Sequence, residues 1–359
     1  MDGLRGLAIL LVLWHHLVEA YLPVGPATWL GWLRAGTTLS WTGVDLFFVL
    51  SGYFIGGILI DHRDSPRLTK TFYVRRAARI LPLYYFTLAT YLIVAAAGFA
   101  GPTPAFPAWV YALFLTNLTI AWGNFWGSPL FSPLWSIAVE EQFYLAAPWV
   151  VRWMRPARLP VLLAALVGLA WLLRTGLYYF NPENHGALHA LMPMRMDTFA
   201  LGGLLAWATR TGAAQGLTQR LAKTWPVWTA LGALVFFLLT VCAYLYIDAV
   251  NAYFGYTLIA LGYAFLLLLL VRVRLPWLVR LFSFPPLVLL GRYSYFIYLW
   301  HMLIGWGIIR YLGGADFVLS SPRSLAVVLL GVGGTALASV LSWKLLEHPM
   351  IKLGHRAAY

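Results

Sequence analysis

Apolar stretches about as long as a bilayer is thick recur from one end of this chain to the other. A helix needs about 20 mostly apolar residues to cross the hydrocarbon core. Residues 3–22, 38–60, 80–98, 134–151, 159–180, 196–209, 226–247, 252–271, 292–311 and 324–346 are the candidate spans. Of the 359 residues 61% are hydrophobic and 10% charged, against about 45–50% and about 25% in a soluble domain. The expected fold is therefore all-α: a polytopic membrane helix bundle of about ten transmembrane helices. Residues 108–122 are apolar but short, and they are read as one re-entrant or interfacial segment. The first stretch is a permanent helix and not a signal peptide, because His15, His16 and Glu19 interrupt it and no small-residue cleavage site follows.

Charge then orients the bundle. Lys and Arg number 25 against 12 Asp and Glu, an excess that in a soluble protein would suggest nucleic acid. In a polytopic protein basic residues gather in cytoplasmic loops, so no nucleic-acid partner is expected. The loop 61–79 holds Arg63, Arg67, Lys70, Arg75, Arg76 and Arg79, which sets it inside and places both termini in the cytoplasm. With 108–122 not crossing, only Arg34, Arg174, Arg195, Arg310 and Arg323 fall on the opposite side. The single cysteine, Cys242, permits no disulfide within the chain.

Ionisable side chains at membrane depth are costly and mark functional sites by default. Here they are His15, His16, Asp45, Glu140, Glu141, Asp197 and His301. At about 1.5 Å per residue, His16 lies roughly 16 Å above Arg5, near mid-membrane. His301 is also near mid-depth and Glu140 about 9 Å below the outer face, so spans 1, 4 and 9 would enclose a polar chamber if they are neighbours. A histidine there can take a proton from a hydroxyl, with a carboxylate to fix its tautomer; the alternative is a packed ring bonded to a backbone carbonyl. Only one of His15 and His16 is expected to face a given interior stripe.

Arg75, Arg76 and Arg79 precede span 3 on a predicted helix. Their guanidiniums would suit a polyphosphate or anchor the chain to anionic membrane lipid. Gly43, Gly52, Gly56 and Gly57 allow close helix contact. His185 and His189 share a helical spacing without a third ligand, so no metal is expected. The same embedded histidines and carboxylates leave a proton-coupled transporter as the alternative function.

Asp2-Gly3-Leu4-Arg5-Gly6 followed by His16 resembles the Arg-x10-His opening of the acyltransferase 3 family of integral membrane acyltransferases. Gly43-Val44-Asp45-Leu46-Phe47-Phe48-Val49-Leu50-Ser51-Gly52-Tyr53 is similar to its second-helix signature, with Tyr53 where Phe is usual. Arg75, Arg76 and Arg79 fall on its arginine cluster. The run from Trp135-Ser136 through Glu140-Glu141-Gln142-Phe143-Tyr144 resembles another motif, and Ser294-Tyr295 through Tyr298-Leu299-Trp300-His301 a later one. His15 is a departure that doubles the histidine.

The resemblance covers the whole chain and implies a membrane acyltransferase domain over 1–359 in a bacterial inner membrane; many members carry a further hydrolase-like domain, and no fused soluble domain is read in this sequence. It implies transfer of an acyl group, commonly acetyl, from acyl-CoA to a hydroxyl of a sugar, glycan or glycoside. It further implies His16 as general base, with Glu140 and Arg5 assisting, and Arg75, Arg76 and Arg79 on the CoA phosphates. Asp45, Ser51, Trp135, Ser136 and His301 are the expected substrate contacts, with Glu140 holding the acceptor or pairing with His16.

Overall fold

The computed structural model describes residues 1–25, 28–98, 105–245 and 248–359. Among these the chain is helical throughout, without a strand. In order, the helices are α1 (Asp2–Leu17), α2 (Trp29–Thr37), α3 (Gly43–Asp61), α4 (Leu68–Ala96), α5 (Ala108–Ala112), α6 (Thr116–Gly123), α7 (Leu134–Trp153), α8 (Leu159–Phe180), α9 (His185–Ala190), α10 (Met192–Thr211) and α11 (Gln215–Tyr244). The last two residues of the expected span 226–247 lie outside the described residues.

Seven described helical stretches are long and apolar enough to cross a membrane, or eight if Pro285–Arg292 and Ser294–Gly313 form one bent span. The count of ten is not reached by that measure. The two helices left out, α7 and α10, are each 20 residues long. They carry Glu140, Glu141 and Arg152, and Arg195, Asp197 and Arg210, the charges that an apolar criterion rejects. The segment 108–122 divides into helices of five and eight residues with Phe114 between them at φ 56°. At about 1.5 Å per residue neither reaches across a core of about 30 Å.

Local chemistry fixes the element ends. Pro193 opens α10 where a missing N–H costs nothing, and Gly212 closes it at φ 77°. Ser321 and Ser324 form a reciprocal capping box around Pro322 at the start of the helix Pro322–Ser342. Helix α10 packs between α3 and α8. A Cβ on Gly52 would sit 2.1 Å from the Phe199 carbonyl oxygen, and one on Gly202 2.1 Å from that of Val49, so α3 and α10 touch backbone to backbone. Helix α1 lies against α3 and Pro285–Arg292. The chain bends by 68° between Arg292 and Ser294, and a π turn, Met302–Trp306, follows His301 directly. Such turns insert one residue into a helix and commonly mark functional positions.

Candidate active site

Two cavities lie one above the other along α1. The lower, about 880 Å³ of empty space, is lined by Arg5 of α1, Ser51, Phe54 and Ile55 of α3, Arg76 and Arg79 of α4, and Ser136, Glu140, Glu141 and Tyr144 of α7, together with Ser294 and Tyr295. The upper, about 1500 Å³, is lined by His15, His16 and Glu19, aromatic rings including Trp41, Trp126, Trp135 and Tyr256, and His185 and His189 of α9. Val44 and Tyr298 face both. The wall between them is thus one side chain thick in places. Arg5 and His16 are eleven positions apart on α1, a rise of roughly 16 Å, so the two ends of this helix serve different cavities.

In the lower cavity the carboxylate of Glu140 accepts hydrogen bonds from Ser51 and from Tyr144. Glu141 faces the same space, and among the described residues its buried Oε1 meets no donor. Arg5 pairs with Asp2 at 3.3 Å and stands over Phe54. Arg76 lies over Phe72 and Tyr144. Among the described residues neither Arg76 nor Arg79 makes a hydrogen bond or an ion pair. Arg75 faces elsewhere: its Nε donates to the Ala357 carbonyl at 2.9 Å, its guanidinium covers the Tyr359 ring, and Thr71 holds Ala358 beside it. Three arginines were expected to act together, but Arg75, one turn before Arg79 on the same helix, is engaged by residues 357–359.

In the upper cavity His16 directs Nδ1 to the Val12 carbonyl at 3.0 Å. Its ring is 4.9 Å from that of His15 and 4.9 Å from that of His301. His15 and His16 line the same cavity, contrary to the expectation that only one would, because α1 ends at Leu17 and its last turn projects into a wide space. His15 meets Glu19 at 3.3 Å, and Ser40 donates to the same carboxylate oxygen. The expected Glu140–His16 pair is not formed. Glu140 lies on the other side of the wall, committed to Ser51 and Tyr144.

The remaining expected residues divide. Trp135 lines the upper cavity against His189, and Ser136 the lower, where its hydroxyl meets that of Tyr298 at 2.5 Å. Asp45 faces neither cavity; it is fully buried and bound to Arg195 at 2.5 Å. Arg174 likewise meets Asp197 at 2.6 Å and Thr257 at 2.5 Å. Arg174 and Arg195, assigned above to an aqueous face, are wholly buried. Embedded acids need counter-charges, and that requirement was the signal that could have found them. Arg195 stands over Tyr256, a wall residue of the upper cavity, so the ion pair backs that wall.

His189 receives or donates a hydrogen bond with the Tyr256 hydroxyl at 3.0 Å. Burial, then the nearby Arg195, holds its pKa well below the usual 6.5. Among the described residues no three His, Cys, Asp or Glu gather as a metal site. Tyr298, Tyr144 and Glu19 carried no expected role in a site, yet they form the dividing wall, the lower hydrogen-bond network and the support of His15.

A family model described as an acyltransferase domain matches residues 1–343. Across 99% of its length the chain is 26% identical to peptidoglycan O-acetyltransferase OatA of Listeria monocytogenes and 24% identical to O-acetyltransferase OatA of Staphylococcus aureus strain NCTC 8325. It is 26% identical over the same share to a provisionally named O-acetyltransferase of Staphylococcus aureus strain COL. The matches cover 56%, 58% and 58% of those proteins, so the chain spans little more than half of each. No solved structure matches.

Proposed function

Because this chain belongs to the acyltransferase family whose model matches residues 1–343, we propose that it is a multi-pass bacterial membrane O-acyltransferase that carries acetyl from acetyl-CoA to a glycan hydroxyl. The observation that carries this reading is the pair of cavities divided by Val44 and Tyr298, arginines in one and His16 in the other. The basic loop 61–79 would lie in the cytoplasm with both termini, at the inner membrane. CoA enters the lower cavity with its phosphates on Arg76 and Arg79, and the thioester reaches the wall beneath the upper cavity. The glycan occupies the aromatic upper cavity, where Trp135 and Trp126 offer flat apolar faces and His15, Glu19 and Asn251 offer hydrogen bonds.

His16 is the general base. The Val12 carbonyl can only accept, so it fixes the ring proton on Nδ1 and leaves the Nε2 lone pair for the acceptor hydroxyl. The hydroxyl oxygen forms a bond to the thioester carbon as its proton passes to Nε2. The C–S bond breaks, and the thiolate takes that proton as CoA-SH. His16 is preferred over His15 because it lies beside His301 on the helix that also carries Tyr298, hence toward the wall, whereas His15 turns to Glu19 and Ser40. Glu140, with Ser51 and Tyr144, lies on the donor side and orients the pantetheine arm.

A peptidoglycan acceptor, as in the name of the Listeria relative, is the first to try. Mass spectrometry of cell-surface glycans from cells with and without the chain tests the reading. Base-labile acetyl groups that depend on the chain support it, and identical glycans refute it.

A further inference from the structure

His301 is wholly buried, and its Nδ1 reaches the carbonyls of Tyr298 at 2.7 Å and Ile297 at 3.2 Å. Carbonyls only accept, so the proton of the neutral ring sits on Nδ1 and Nε2 is a bare lone pair. Among the described residues nothing donates to that Nε2. A buried acceptor left without a donor is destabilising, which calls for a reason. His16, whose ring centre is 4.9 Å away, has the same arrangement, Nδ1 held by a carbonyl and Nε2 without a proton.

Two neutral imidazoles in ring contact, both short of a proton at Nε2, form a couple that one added proton would bind together. No carboxylate serves that purpose here. Glu140 is engaged by Ser51 and Tyr144, and Glu19 by His15 and Ser40. The other titratable groups around the couple are His15, in edge contact with His16, and Tyr298, whose hydroxyl is tied to Ser136 and the Pro133 carbonyl.

We infer that His301 is the positioning partner of the base, sharing through its Nε2 the proton that His16 takes from the acceptor. This rests on the reading of His16 given above. The hydroxyl proton moves to His16 Nε2 as the O–C bond forms. The protonated His16 ring then turns to bring that N–H onto His301 Nε2, so the positive charge spreads over two rings. When the C–S bond breaks, the same proton passes to the thiolate, and both rings return to neutral. No net charge is buried before or after the reaction, which a permanent carboxylate partner at this depth would not allow. The π turn beginning at Met302 gives the ring its setting in the helix.

The test uses the full chain in isolated membranes with radiolabelled acetyl-CoA, reading base-labile label in the glycan fraction. His301→Ala is expected to lower kcat roughly 10- to 100-fold, in the lower range of general-base effects, with KM for acetyl-CoA unchanged. His301→Gln, whose amide oxygen can accept the N–H, should recover much of the rate, while the shorter His301→Asn should not. Free imidazole should rescue His301→Ala, and pyrazole, equal in shape but a far weaker base, should not.

Wild-type kcat in His301→Ala, a loss confined to KM, or equal rescue by pyrazole would overturn the inference. Should the alanine variant fail to elute as a single folded species, Asn against Gln carries the same comparison, and equal rates in those two overturn it. Wild-type membranes without transfer, or a fully active His16→Ala, would overturn the reading of His16 and this inference with it. An inactive His16→Ala beside a fully active His301→Ala defeats the inference alone.

Discussion

Replacing Arg75, Arg76 and Arg79 by alanine one at a time separates a phosphate cradle from a membrane anchor. Arg76 and Arg79 line the lower cavity, while Arg75 is held by the Ala357 carbonyl at 2.9 Å and covers Tyr359. A hydrogen bond from a guanidinium to a phosphate contributes about 1.5–3 kcal/mol. At 1.4 kcal/mol per tenfold, Arg76→Ala and Arg79→Ala should each weaken CoA about 10- to 100-fold. Arg75→Ala removes only the contact with the last residues and should leave affinity almost unchanged. Isothermal titration of the detergent-solubilised protein with CoA, repeated at rising salt, measures all three. Arg75→Ala weakening CoA as much as Arg79→Ala, or three variants binding like wild type, would show that the cavity lining does not identify the donor site.

Other consequences follow from the same packing. Asp45→Asn leaves Arg195 buried and unmatched, at a cost of about 3–5 kcal/mol; thermal unfolding in detergent should show that loss, and the double variant with Arg195→Gln should lose less than the sum of the two single changes. Gly52→Ala drives a methyl into the Phe199 carbonyl, 2.1 Å from the Cβ position, and should cost about 1–3 kcal/mol or more by the same assay. His189 has its pKa depressed by burial and Arg195, so the unfolded chain binds the proton more readily. Its contribution to stability is therefore complete above the unfolded pKa and is lost as pH falls below it. Melting curves from about pH 7 to about pH 5 should decline in wild type and flatten in His189→Gln.

The helices of this bundle were legible because a membrane imposes one length and one composition on each crossing. Every expected span has a helical counterpart, and 108–122 fell short for the reason its length gave. The chemistry was legible only along the chain. His16, Arg5, Arg76, Arg79 and Glu140 all reach a cavity wall, but which cavity each one serves depends on where helices cross. Glu140 could be read as a partner for His16 because both lie within the membrane core; depth alone cannot show the wall of Val44 and Tyr298 between them. Arg174 and Arg195 were read as an outer flank because charge counting assigns basic residues to loops. Their partners, Asp197 and Asp45, lie 23 and 150 residues away, and the second separation is beyond any local pattern. Arg75 shows the opposite limit, since it fits the arginine motif and is diverted by a contact with the far end of the sequence.

The proposed catalysis rests on the first helix's imidazole acting at the boundary of the two cavities. Acetyl transfer by His16→Ala and His15→Ala, each normalised to its CoA affinity, measures this directly. General-base catalysis supplies about 100- to 10,000-fold, so His16→Ala should lose at least about 100-fold in kcat while binding CoA normally. His15→Ala should retain most of its rate. Full turnover by His16→Ala, or loss only in His15→Ala, would contradict the placement of the base.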